Sequence, residues 1–152
     1  MAESGSTVIP ALRYRNAPAA IEWLCNVLGF TRHAVYEGAG GVINHAELAL
    51  GGGMIMLGSM KESEQGKKSE QGKEDEQGRR FKAPGELGGA ETSSAYIVVP
   101  DADAVYARAQ AAGATIVRPL QQMEYGSREF TVSDPEGHSW SVGTYDPWSA
   151  QS

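Results

Sequence analysis

Cysteine is almost missing from this sequence. Cys25 is the sole thiol among 152 residues, so no disulfide can close within the chain, and a reducing cytoplasm is the expected setting. Also missing is any apolar run approaching the roughly 20 residues that span a bilayer. Positive charge is scarce: 13 Lys and Arg against 19 Asp and Glu leave a net charge of −6. General nucleic-acid binding needs clustered Lys and Arg to displace counterions, and that class is excluded. The opening residues "MAESGSTVIP" offer neither a basic n-region nor an apolar h-region, so no secretory leader is expected. What is present is ordinary for a soluble domain: 41% hydrophobic residues on a chain long enough to bury one core. The expectation is an acidic intracellular protein whose ligand is small.

Apolar residues are absent from one long internal stretch. Residues 61–80 read "KESEQGKKSEQGKEDEQGRR", with Glu-Gln-Gly recurring every six residues. Such a tract cannot bury enough surface to offset its ordering entropy, and each repeated glycine weakens a helix by roughly 1 kcal/mol. It reads as a solvated linker or, alternatively, as a tract that docks a partner. "APGELGGAETS" (83–93) extends the break with Pro and Gly. The chain therefore divides into 1–60, a polar connection over 61–92, and 93–152, within one domain.

The two flanks carry the same pattern. In the first, a strand is expected from Val8 to Tyr14. A helix follows from Ala17 to Leu28, capped by Asn16 with Pro18 in its first turn. Its apolar face is Ile21, Leu24, Cys25 and Leu28, and Gly29 ends it. Strands follow near 31–37, 44–50 and 53–59, the last two joined through Gly51-Gly52. In the second flank Ser94 to Val99 reads as a strand. Asp101 or Asp103 caps a helix with Ala102, Val105, Tyr106 and Ala109 on one face, ended by Gly113. Strands follow near 115–124, 128–133 and 138–144, with Asp134-Pro135-Glu136-Gly137 as the last turn. Each half is β-α-β-β-β, and one half alone would expose the apolar face of a small sheet.

"AIEWLCNVLGF" (20–30), "AELALGGGMIML" (46–57), "AYIVVPDADAVYARAQAAGATIV" (95–117) and "DPEGHSWSVGTY" (134–145), in this order, resemble the vicinal oxygen chelate superfamily of glyoxalases, bleomycin resistance proteins and extradiol dioxygenases. The resemblance implies an α+β fold in which two βαβββ modules form a U-shaped mixed sheet around a cavity, with helices on the outer face. It also implies a homodimer. Metal-using members of the superfamily place ligands on the first and fourth strands of each module. Those positions fall on Ile9, Met56, Ser94 and Ser141, none of which offers an imidazole or a carboxylate. The expectation is a chain without the superfamily's metal, and no other cofactor is indicated.

Strand alternation selects the side chains that face the cavity. They are Arg13, His45, Glu47, Met54, Met56, Tyr96, Glu129 and Ser141, with Ile9, Ala11, Ala49, Ser94, Thr131 and Ser139 beside them. His45 and Glu47 share one strand face and read as metal ligands, as an acid–base pair, or as a plain hydrogen-bonded pair. Arg13 either clamps an anionic ligand or neutralises Glu47 or Glu129. Met adapts to irregular ligands and Tyr stacks on flat ones. His138 should point to the helix side or the rim. Trp148 covers the cavity, covers a dimer seam, or packs structurally.

Three functions fit. The first is a metal-independent binding protein that sequesters a small aromatic or polar compound. The second is a lyase, isomerase or dioxygenase using His45 and Glu47, with a relocated metal or as acid–base groups. The third is a domain whose repeat docks a partner. The first is the one we carry forward.

Overall fold

The computed structural model describes residues 5–60 and 81–149; the six-residue repeat lies outside the described residues. Strand β1 (Ala11–Tyr14) leads into helix α1 (Ala17–Trp23), which loosens into a π turn over Leu24–Leu28. Strands β2 (Thr31–Glu37), β3 (Ile43–Leu50) and β4 (Gly53–Ser59) follow. The second module repeats the order with β5 (Ala95–Val98), α2 (Ala102–Ala111), β6 (Thr115–Gln122), β7 (Arg128–Ser133) and β8 (Ser139–Gly143). Each module forms its own four-stranded mixed sheet, β1-β4-β3-β2 and β5-β8-β7-β6, in which the last strand runs parallel to the first and every other neighbouring pair is antiparallel.

Local chemistry accounts for these boundaries. Asn16 caps α1 by accepting the Ala19 N–H at 3.2 Å, and Asp101 caps α2 by accepting that of Ala104 at 3.0 Å. Asp103, the other candidate cap, instead receives Arg128 on both carboxylate oxygens at 3.1 Å. The π turn ends at Gly29, whose φ of 92° is open only to glycine at little cost. The first strand is shorter than its hydrophobic run. Pro10 has no N–H to donate to a ladder, and Val8 is 81% exposed.

One core serves both modules. Ile21, Leu24 and Leu28 from the first helix and Ala102, Val105 and Ala109 from the second join Leu48, Leu57, Phe130, Val132 and Val142 from the sheets. Phe30 and Trp140 meet edge to face across the modules at 5.9 Å, and Arg108 of α2 donates to the Val27 carbonyl at 3.3 Å. His138 packs edge-on against Tyr14 at 5.0 Å, on the core side of the sheet, with Nδ1 3.4 Å from Glu91.

The Asp134-Pro135-Glu136-Gly137 turn fastens the halves together. Asp134 is buried and its carboxylate accepts four hydrogen bonds: Tyr14 Oη at 2.6 Å, Trp140 Nε1 at 3.1 Å, and the backbone N–H groups of Glu136 and His138 at 3.0 Å each. Glu136 places one oxygen on the Arg15 N–H and the other on the Asn16 N–H, each at 2.7 Å. A carboxylate thus sits at the start of α1, where peptide dipoles favour negative charge. Gly137 allows the close approach of the returning chain, since a Cβ there would lie 3.1 Å from Pro84 Cβ.

Asp134→Ala leaves a buried phenol and a buried indole N–H without their acceptor. It is expected to cost about 3 kcal/mol or more, a fall in Tm of about 6–12 °C, in urea and thermal melts. Burial first, then the Asp134 charge and hydrogen bond, hold the Tyr14 phenol protonated well above its ordinary range. The unfolded chain releases that proton near pH 10, so the stability is complete below pH 10 and declines above it. Tyr14→Phe should melt less steeply than wild type between pH 9 and 11. Parallel slopes would refute this account.

Candidate functional site

Register fixes what each sheet shows on the face away from the helices. In the first sheet Ala11 pairs with Met56, Met56 with Glu47, and Met54 with Ala49, while Arg13 pairs with Gly58. This face therefore gathers Arg13, His45, Glu47, Met54 and Met56. His45 Nε2 lies 2.8 Å from Glu47 Oε2, the Tyr36 ring stacks on His45, and His33 Nε2 stands 4.0 Å from the other Glu47 oxygen. The Arg13 guanidinium lies 4.8 Å over the Phe81 ring. Arg13, His45 and Met56 share a hollow of about 280 Å³.

The second sheet shows Tyr96, Ser141, Thr131 and Glu129. Tyr96 pairs with Ser141 as Ala11 pairs with Met56, so Met56 and Ser141 hold equivalent places in the two modules. Ser141 and Thr131 hydroxyls are bonded at 3.0 Å, and Tyr96 Oη donates to the Tyr145 carbonyl at 2.8 Å. Glu129 is not on a rim. It is 6% exposed, accepting Tyr125 Oη at 2.9 Å and Arg118 at 3.4 Å. The bond to Glu129 raises the Tyr125 phenol above its ordinary range, and burial raises that of Tyr96.

Sequence reasoning passed over Arg118, Tyr125, Tyr145 and Gly143. Gly143 stands opposite Glu129 in the ladder, and its missing side chain makes the room that Glu129 and Tyr96 fill. A glycine late in an otherwise regular strand was the available signal for close approach. Two larger cavities flank the facing edges of β1 and β5. One of about 360 Å³ is lined by Arg13, Phe81, Glu91, Ser94, His138 and Trp140. The other, about 810 Å³, is lined by Phe30, Met54, Tyr96, Trp140, Asp146 and Trp148 among others. The eight candidate side chains are thus distributed over two sheet faces, with Met54 and Tyr96 meeting in the larger cavity.

The four corners that the resemblance assigns to metal ligands do not fit a divalent metal. Ile9 is half-buried ahead of β1, Ser94 is exposed ahead of β5, Met56 offers a thioether, and the Ser141 hydroxyl is bonded to Thr131. Zn, Mn and Mg sites are built from imidazole, carboxylate and thiolate donors. Among the described residues no group of three or more His, Cys, Asp or Glu side chains is arranged to hold a metal ion. No described helix is long and apolar enough to cross a membrane.

Gly143→Ala would bring a Cβ to 2.5 Å from Tyr96 Oη and 2.7 Å from Glu129 Cγ. The expected loss is about 1–3 kcal/mol in chemical denaturation. A neutral result would mean that Tyr96 and Glu129 do not close over this glycine.

Comparison with known proteins places the chain. The family model described as the Glyoxalase/Bleomycin resistance protein/Dioxygenase superfamily matches residues 7–142. An uncharacterized protein of Mycobacterium bovis is 31% identical over 134 residues, 88% of this chain and 80% of that protein. The crystal structure of TioX from Micromonospora sp. ML1 superposes with a TM-score of 0.62 at 30% identity, covering 91% of this chain and 98% of that one. Fosfomycin resistance protein FosX from Mesorhizobium loti gives 0.59 at 13% identity, covering 96% of each chain, a likeness of fold alone.

Proposed function

The chain belongs to the glyoxalase/bleomycin resistance protein/dioxygenase superfamily, and within it we propose a metal-independent protein that binds and sequesters a small aromatic or polar compound. The observation that carries this reading is the donor set at the corners: Met56 and Ser141 stand at equivalent places and neither offers the imidazole or carboxylate that anchors a hard or borderline cation. The polar groups on the open faces are also satisfied within their own sheets, as His45 with Glu47, Arg118 with Glu129 and Ser141 with Thr131. They support recognition surfaces better than a convergent catalytic constellation. The bleomycin resistance branch of the superfamily gives binding without chemistry a place in it.

The same proposal takes the working unit as a cytoplasmic homodimer. Tyr96, Val98, Tyr125 and Tyr145 are large side chains at least a third exposed, of the kind that a partner surface covers. A second reading rests on the 2.8 Å His45–Glu47 pair, which could serve as base and orienting carboxylate on a substrate held over the first sheet.

A thermal-shift screen of antibiotics and metabolites, run with metal analysis of protein purified without chelators, tests the proposal. A ligand at a hundredfold its Kd should stabilise the chain by about 2.7 kcal/mol, with no change on adding EDTA. Stoichiometric transition metal, lost in His45→Ala, would overturn the binding reading in favour of the second.

A further inference from the structure

Trp148 is 91% exposed, yet it lines the larger seam cavity, whose floor is formed by Phe30 and Trp140, 5% and 2% exposed. Its backbone is held in place. Asp146 Oδ1 accepts the Trp148 N–H at 3.0 Å, and the Asp146 carbonyl accepts that of Ser149 at 3.2 Å. The indole, almost wholly exposed, stands beside the cavity on a turn held by these bonds. The turn between β3 and β4 brings Gly51, Gly52 and Gly53 to the lining. A Cβ at Gly51 or Gly52 would meet nothing within 4 Å, so that side of the mouth is open. Met54 and Tyr96 complete an aromatic and thioether wall.

The charge of the lining is one-sided. Among the described residues it contains no Lys, Arg or His, and Asp146 is its one carboxylate. Asp146 Oδ1 accepts the Trp148 N–H. Tyr96 already donates its hydroxyl to the Tyr145 carbonyl. The whole chain is acidic, with a net charge of −6, which steers cations toward it.

We propose that this cavity is the ligand site and that it takes a planar aromatic cation, stacked on Trp148 and compensated by Asp146. The assignment rests on the binding reading above and gives it a place and a ligand class. A flat ring system covers the exposed indole face and so removes apolar surface from water on both partners. A positive charge adds the attraction of the indole quadrupole to that of the carboxylate. About 810 Å³ accommodates a tricyclic compound.

Equilibrium dialysis with proflavine, a planar tricyclic cation, against anthracene-2-carboxylate, a planar anion of similar size, tests this. Proflavine is expected to bind at least about tenfold more tightly. Trp148→Ala should weaken proflavine by about tenfold or more. Asp146→Asn keeps the Oδ1 acceptor of the turn, and should reduce the preference for the cation. Glu22→Gln, on the exposed side of α1, should change neither affinity. Equal affinity for the two ions, or unchanged binding in Trp148→Ala, overturns the assignment. If a screened compound stabilises the protein and loses its effect in His45→Ala but not in Trp148→Ala, the binding reading stands and this site falls. If neither proflavine nor any screened compound binds, both fall.

Discussion

The arrangement of this molecule depends on one buried carboxylate. Asp134 is 4% exposed, and a charge so placed is tolerated only when donors surround it. Four donors do so, and one of them is the hydroxyl of Tyr14, 120 residues earlier in the chain. The same turn sends Glu136 onto the first N–H groups of α1. The end of the second module thereby fixes the start of the first module's helix. Because α1 packs on the first sheet and Trp140 packs on Phe30, the turn also fixes how the two sheets meet, and hence the shape of the seam between β1 and β5.

The seam is where usable surface remains. On the open sheet faces polar side chains pair with near neighbours, and Glu129 is closed in by Tyr125, Arg118 and the strand beneath. The larger cavity beside β1 and β5 is lined instead by aromatic, thioether, aliphatic and small residues with few polar groups. The fold and the corner chemistry are also separable. What specifies the fold is the apolar helix faces, the Asn16 and Asp101 caps and the glycine stops, and none of these touches Ile9, Met56, Ser94 or Ser141. A superfamily member can thus keep its architecture while its corner residues change freely.

Most of the fold was legible because its signals are local. Period-two alternation in Ala46, Leu48 and Phe130, Val132 marked the core-facing side of the strands, and helical spacing marked Ile21, Leu24 and Leu28. Both modules were visible as repeats of one order. The site was legible only in part. Asp134 and Glu136 read as members of a turn because Asp-Pro-x-Gly is a turn signal by itself, whereas their partners Tyr14, Arg15 and Asn16 are far away in sequence. Glu129 read only as facing the cavity because alternation gives direction and not depth. Its depth came from Gly143 across the ladder. Trp148, beyond the last strand, belonged to no periodic pattern, so the sequence left it open between cover for the cavity, cover for a dimer seam and structural packing.

Strands β1 and β5 each hydrogen-bond to a neighbour on one side only, within their own module. The halves are therefore joined by side chains, by helix packing and by the Asp134 turn, never by a continuous ladder. None of these bonds registers whether Tyr14 and Asp134 were translated on the same polypeptide. The chain between Met60 and Phe81 joins the two modules covalently, and the length of that connection bears on whether a module finds its own companion or another molecule's. Shortening or stretching that tether would then redistribute molecules between closed and exchanged assemblies while every described hydrogen bond stayed the same.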